Sequence, residues 1–194
     1  MQFGFVPASV LSELNSDRFE TKLRAADDLC LLVQSADAGD LKSSLAAFIR
    51  IPGLLVAERQ YKLVAAGLTI VEILCDRCGS RIRLHMEHVV PGITHQLGAT
   101  QVVLRKAAMR TFAKLMAAVG STALLPALLR ATEHPRNAYI RESGCRLIIL
   151  ALLTNSSVRR FDFDPPSLVR SVAALLHDSS ERVRVCVMEL LALL

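Results

Sequence analysis

A chain of 194 residues with 52% apolar content is long enough to bury a sizeable core and too apolar to be disordered. Its five cysteines, odd in number and irregular in spacing, argue against a disulfide framework and for a reducing compartment. The net charge of +5 calls for an anionic partner and leaves nucleic acid, a membrane surface and an acidic protein all open.

The opening stretch, "MQFGFVPASVLSELNSD", has no basic start and no long apolar run, so it does not read as a signal peptide. The longest apolar run, Leu147 to Leu153, is too short to span a bilayer. The expectation is a soluble, intracellular and mostly helical protein.

Helical spacing predicts pairs of helices at 7–15 with 18–35, 40–50 with 58–77, 81–97 with 101–118, 121–132 with 137–154, and 165–177 with 181–194. The second helix of each pair carries a shared ladder: "TKLRAADDLCLL", "YKLVAAGLTIVE", "LRKAAMRTFAKL", "IRESGCRLIILA" and "VRVCVMELLALL". Each places a basic residue second: Lys22, Lys62, Arg105, Arg141 and Arg184. Three positions on stand Ala25, Ala65, Ala108, Gly144 and Val187, and seven on stand Leu29, Thr69, Phe112, Ile148 and Leu191. Those offsets share one helical face, where a small residue admits a neighbouring helix. Pro7, Pro91 and Pro126 recur in the helix ahead of the ladder.

A unit of two helices repeating about every forty residues has the period of HEAT and armadillo repeats. The predicted fold is therefore all-α: one solenoid of five HEAT-like helix pairs over 1–194, with an inter-repeat loop at Thr154 to Pro166. The last helix ends in an apolar stretch, for which a further repeat beyond Leu194 is the expected continuation.

"CDRCGSRIRLHMEH" sets Cys75 and Cys78 ahead of His85 and His88. Zinc-binding cysteine and histidine pairs usually stand about twelve or more residues apart, and these stand much closer. Cys75 and Cys78 also continue the apolar stripe of Leu68 and Val71, and Gly79 is a natural helix stop. The stretch is read as a repeat boundary, with no metal site and no cofactor.

The turns inside each unit line up along one edge of a solenoid. In order they read "SDRFETK", "AERQYK", "ATQVVLRK", "HPRNAYIR" and "DSSERVR". The row offers Phe19, Lys22, Arg59, Tyr61, Lys62, Arg105, Lys106, Arg136, Arg141, Arg182 and Arg184 to a partner. A basic residue near the start of the second helix can instead hydrogen-bond within the stack, and that reading stands beside the binding one. No phosphate cradle or nucleophile–base pair is recognisable, and Ser143 and Cys145 read as helix packing, so the chain is expected not to be an enzyme.

On these residues the chain resembles the TOG-domain family of tubulin-binding HEAT arrays, nearest its CLASP and crescerin branch. "SELNSDRFETKLRAADDLCLLV" is similar to a first TOG repeat and "RQYKLVAAGLTIVEIL" to a second. "HVVPGITHQLGATQVVLRKAAMRTFAKLM", "LLPALLRATEHPRNAYIRESGCRLIILALL" and "DFDPPSLVRSVAALLHDSSERVRVCVMELL" resemble the three that follow. Phe19 stands where the family commonly has tryptophan, and a sixth repeat usual in TOG domains is missing. The resemblance implies a paddle that lays its turn edge on αβ-tubulin or the microtubule lattice. It implies a cytoplasmic, cytoskeletal module of a longer protein, at a cilium, axoneme or centrosome. Two other classes remain: a HEAT scaffold that does not bind tubulin, and a nucleic-acid binder like the HEAT-like DNA glycosylases. The second is disfavoured because the basic residues follow the turn edge and no tryptophan is present to stack on a base.

Overall fold

The computed structural model describes residues 2–155 and 164–194. The chain winds through α1 (Ala8–Leu14), α2 (Phe19–Ser35), α3 (Ala38–Phe48), α4 (Arg50–Val56), α5 (Tyr61–Cys78), α6 (Val90–Gln96), α7 (Val102–Val119), α8 (Ser121–Thr132), α9 (Ala138–Asn155), α10 (Pro165–Ala173) and α11 (Glu181–Ala192). Two 3₁₀ segments, Gly79–His88 and Ala174–His177, complete the described helical structure. Among the described residues no strand forms; Gln2 and Val6 make one isolated antiparallel bridge.

Helices α2, α5, α7, α9 and α11 pack side by side as one layer. A second layer of α1, α4, α6, α8 and α10 covers it, each helix against its partner in the first. Leu29, Leu68, Phe112, Ile148 and Val187 are sealed between them. Neither layer could bury its apolar stripe alone, so the stack supplies the core that each hairpin lacks.

Three expected first helices are broken, each for a local reason. The helix expected at 40–50 is two, α3 and α4, and α4 is the main partner of α5. Pro52 has no N–H to offer the Phe48 carbonyl, so the ladder of hydrogen bonds stops there and restarts. The helix expected at 81–97 begins instead as a ten-residue 3₁₀ segment and becomes α6 only at Val90. Gly79 enters that segment at φ +57°, and Pro91 sits in the first turn of α6, where its missing donor costs nothing. Ile82 is the only residue of Gly79–His88 that is fully buried. The helix expected at 165–177 tightens to 3₁₀ geometry from Ala174. The expected inter-repeat loop at Thr154 to Pro166 falls largely on residues 156–163, outside the described residues.

The ladder itself needs one correction. The second helices of four units enter through the same bend: Arg18, Gln60, Gln101 and Ser180 all lie at φ between −85° and −78° and ψ between 114° and 120°. Counting from that bend, the equivalents of Lys22, Arg105 and Arg184 in α5 is Val64, not Lys62. The small position is then Gly67 and the apolar one Val71, both buried, whereas the expected Thr69 is exposed. A Cβ on Gly67 would come within 2.8 Å of Leu55 Cβ and of the Val56 backbone nitrogen, which is why this position is small. "YK" at the start of α5 imitates "TK" in α2, which hides this two-residue offset in the sequence.

Polar ties join successive units. Glu72 on α5 accepts hydrogen bonds from Arg110 Nε at 3.0 Å and from the buried Thr111 hydroxyl at 2.8 Å, both on α7. Gln96 Nε2, buried on α6, donates to the Val56 carbonyl at the end of α4 at 2.9 Å.

Gly53 marks the tightest approach between units. A Cβ there would lie 2.3 Å from the His88 carbonyl oxygen, a backbone atom at the end of the 3₁₀ segment. Gly53→Ala is expected to destabilise the fold by about 1–3 kcal/mol through overpacking. Urea unfolding would read this as a lower midpoint, and an unchanged midpoint would show that the 3₁₀ segment yields freely.

Candidate functional site

The shared bend at the start of α2, α5, α7 and α11 places their first residues on one edge. The first helical position is Phe19 in α2, Tyr61 in α5, Val102 in α7, Ala138 in α9 and Glu181 in α11. The second is Glu20, Lys62, Val103, Tyr139 and Arg182, and all five are exposed. Phe19 is 37% exposed and Tyr61 47%, too open for core residues of their size.

The basic residues of this edge divide into two groups. Lys22, Arg105, Arg141 and Arg184, one turn into their helices, brace the stack. Arg105 Nη1 donates to the carbonyls of Ala99 at 2.6 Å and Thr100 at 2.9 Å. Arg184 Nη1 does the same for Asp178 at 2.7 Å and Ser179 at 3.3 Å. Arg141 Nη1 donates to the His134 carbonyl at 2.9 Å. In each case the guanidinium satisfies carbonyls left over between the two helices of a pair. Lys22 instead forms an ion pair with Glu58 of the next unit's turn.

Arg141 is the most committed of the four. It meets Asp178 in a two-pronged pair, Nε to Oδ2 at 2.6 Å and Nη2 to Oδ1 at 2.9 Å, with side chains 12% and 6% exposed. The Arg141 hydrogen bond, helped by the Ser180 N–H, holds the Asp178 carboxyl below its ordinary pKa; the same hydrogen bond raises that of Arg141. Arg141 therefore offers little open charge to a partner.

The second group is open. Arg59, Lys62, Lys106, Arg136 and Arg182 are exposed, and their side chains make no hydrogen bond or ion pair among the described residues. Arg18 shares this state and was not singled out from the sequence, although it stands beside Phe19. Also missed were Val102 and Val103, 52% and 74% exposed. Their signal was present: "QVV" sets two aliphatic residues where the neighbouring turns carry aromatic or charged ones. Tyr139 completes the edge, its ring centroid 4.2 Å from the Arg105 guanidinium carbon.

Cys75 and Cys78 lie buried in the last turn of α5, and His85 and His88 lie half-buried on the 3₁₀ segment. Burial pushes the Cys75 thiol up to about 12 and the Cys30 thiol up to about 11, which keeps both protonated at neutral pH. Among the described residues no group of three or more His, Cys, Asp or Glu side chains is placed to hold a metal ion. Ser143, Gly144 and Cys145 are buried within α9, and a Cβ on Gly144 would meet Thr132 of α8 at 3.0 Å. No described helix is long and apolar enough to cross a membrane.

The chain aligns over its whole length with TOG array regulator of axonemal microtubules protein 1, at 28% identity to the human protein and 27% to the mouse protein. A TOG domain of crescerin superposes on the complete chain with a TM-score of 0.82 at 27% identity, the chain covering 78% of that structure. This chain has the TOG fold. The N-terminal domain of MAST/Orbit, at 21% identity over 95% of this chain and 81% of that one, has a TM-score of 0.77. The TOG domain of Zyg9 from C. elegans, at 19% identity over 97% of this chain and 70% of that one, has a TM-score of 0.78. No protein-family profile matches the chain. The chain spans 11% of the length of the human and mouse TOG array regulators.

Proposed function

We propose that this TOG fold is a non-enzymatic, tubulin-binding module of a longer microtubule-associated protein, working at the cytoskeleton of a cilium, axoneme or centrosome. The observation that carries the reading is the edge itself. Four second helices enter through one repeated bend, and the bend sets aromatic, aliphatic and unpaired cationic side chains in a row. The similarity to axonemal TOG array regulators along the whole chain supports tubulin as the partner, and the crescerin array is one that regulates microtubules in the primary cilium.

The residues of the edge divide the work. Phe19 and Tyr61 anchor one end by burying ring surface. Arg59, Lys62, Lys106, Arg136 and Arg182 meet the acidic surface of αβ-tubulin, steering the encounter and fixing orientation. Lys22, Arg105, Arg141 and Arg184 hold the turns at the height and spacing the contact needs, adding field more than direct contact. On α11, Val185 and Met188 are exposed at the register of Glu142 and Cys145 on α9, a face that α11 covers. A sixth helix pair beyond Leu194 would cover Val185 and Met188 in the same way.

Size-exclusion chromatography with purified αβ-tubulin, run beside a microtubule co-pelleting assay, tests the reading. Co-elution is expected at low salt. Affinity is expected to fall as ionic strength rises and the Debye length shrinks toward about 3 Å at 1 M. Absence of binding to both tubulin and microtubules at low salt sinks the tubulin reading and leaves a HEAT scaffold with another partner.

A further inference from the structure

Between the third and fourth turns of the edge lies a shallow cleft of about 250 Å³, whose apolar lining is Val102, Met109 and Tyr139. Its apolar wall is unusual for a surface. Val103, beside it, is 74% exposed, and β-branched residues at an exposed helix start contribute little to helix formation. Nothing in the stack needs these two side chains in water, and exposed aliphatic residues beside an aromatic ring are the composition of an interface core.

The other wall is rigid. Asn137 Oδ1 accepts the backbone N–H of Tyr139 at 3.0 Å and of Ile140 at 3.4 Å, which fixes the start of α9. Arg105, held by the Ala99 and Thr100 carbonyls, lies over the Tyr139 ring and restrains it. The ring is thus set in place before any partner arrives, so little conformational entropy is lost on contact.

The lips of the cleft are electrically unbalanced. Glu142 lines it, but its carboxylate, 12% exposed, already pairs with Arg146 at 2.8 Å. Lys106 and Arg182 line it too, exposed and with no ion-pair partner among the described residues. The unpaired charge lining the cleft is therefore positive, and it stands beside the apolar wall of Val102, Met109 and Tyr139.

We infer that this cleft is a specificity-determining anchor: it seats an apolar side chain of tubulin between Val102 and Tyr139, while a neighbouring carboxylate of the same segment meets Lys106 and Arg182. The inference rests on the tubulin reading and deepens it, because it gives the contact an apolar centre far from Phe19. It separates this edge from one that binds by charge alone, since an acidic segment without an apolar residue would leave the cleft unfilled.

Titration of labelled αβ-tubulin with the wild-type chain, Val102→Ser/Val103→Ser and Lys106→Glu/Arg182→Glu, at low and moderate salt, tests it. Serine is well tolerated at the start of a helix, and melting curves of each variant confirm the fold. The valine variant is expected to lose about tenfold in affinity at both salt concentrations, the signature of lost apolar burial. The charge variant is expected to lose affinity at low salt, with the loss shrinking as salt rises. A valine variant that binds like wild type, while Phe19→Ala/Lys62→Glu does not bind, overturns the anchor and leaves the tubulin reading standing. Failure of the wild-type chain to bind tubulin overturns both.

Discussion

Phe19→Ala combined with Lys62→Glu abolishes measurable tubulin binding while leaving the helical spectrum and melting point close to those of wild type: this is the expected outcome of the first experiment. Phe19 opens α2 and keeps 37% of its surface exposed, so its ring is free to be buried by a partner without leaving a hole in the core. Truncating an aromatic anchor that becomes desolvated on binding costs about 2 kcal/mol or more. Lys62 lies one turn further along the edge, exposed and without an ion-pair partner among the described residues. Reversing its charge costs about 1 kcal/mol at an open, screened position. The two together amount to about 3 kcal/mol, more than a hundredfold in Kd. Neither side chain braces the stack, so the unfolding midpoint should move little. Equal binding by wild type and double variant, under conditions where wild type binds, would remove this end of the edge from the contact.

Asp178→Ala is expected to cost about 3–5 kcal/mol of stability, the largest folding effect of any exchange proposed for this chain. The carboxylate receives two hydrogen bonds from Arg141 and one, at 2.8 Å, from the Ser180 N–H. Its removal strands a guanidinium that is only 12% exposed, with the His134 carbonyl as its one remaining hydrogen-bond partner among the described residues. The charge cannot be shed, because an arginine stays protonated. The effect also carries a pH signature. Asp178 is held below its ordinary pKa, so its contribution is complete above the unfolded carboxylate pKa of about 4 and is lost as pH falls through the lower folded value. Urea unfolding at neutral pH should separate wild type from variant widely, and the gap should close in strong acid. A difference below about 1 kcal/mol at neutral pH would show that water enters and replaces the carboxylate.

What the sequence by itself determined was the repeat. Helical spacing of Leu, Ala, Val and Ile, interrupted at regular intervals, is a local property, because side chains three and four apart share a face whatever lies beyond them. The boundaries of α2, α7, α8, α9 and α11 followed from it to within a few residues. The resemblance to TOG domains was carried by the same ladder. The breaks at Pro52 and around Gly79 and Pro91 were written in the chain as well, but apolar periodicity runs through them and masks the missing donors.

The tertiary structure decided which residues of the edge are free. From sequence, Lys22, Arg105, Arg141 and Arg184 read equally as a cationic row for a partner or as braces within the stack. Whether a guanidinium is open depends on which carbonyls and carboxylates come within about 3 Å of it, and Arg141 meets an aspartate from the next repeat. The register of α5 was likewise invisible, since Lys62 and Lys22 are chemically alike and only the bend at Gln60 shows that Val64 holds the bracing position. Val102 and Val103 completed the lesson. In sequence the two valines differ from the residues that open neighbouring helices, but only the stack, which covers neither, shows that they face water. Local chemistry sets the period of the fold; the neighbours that each repeat acquires set the availability of its charges and its apolar surface.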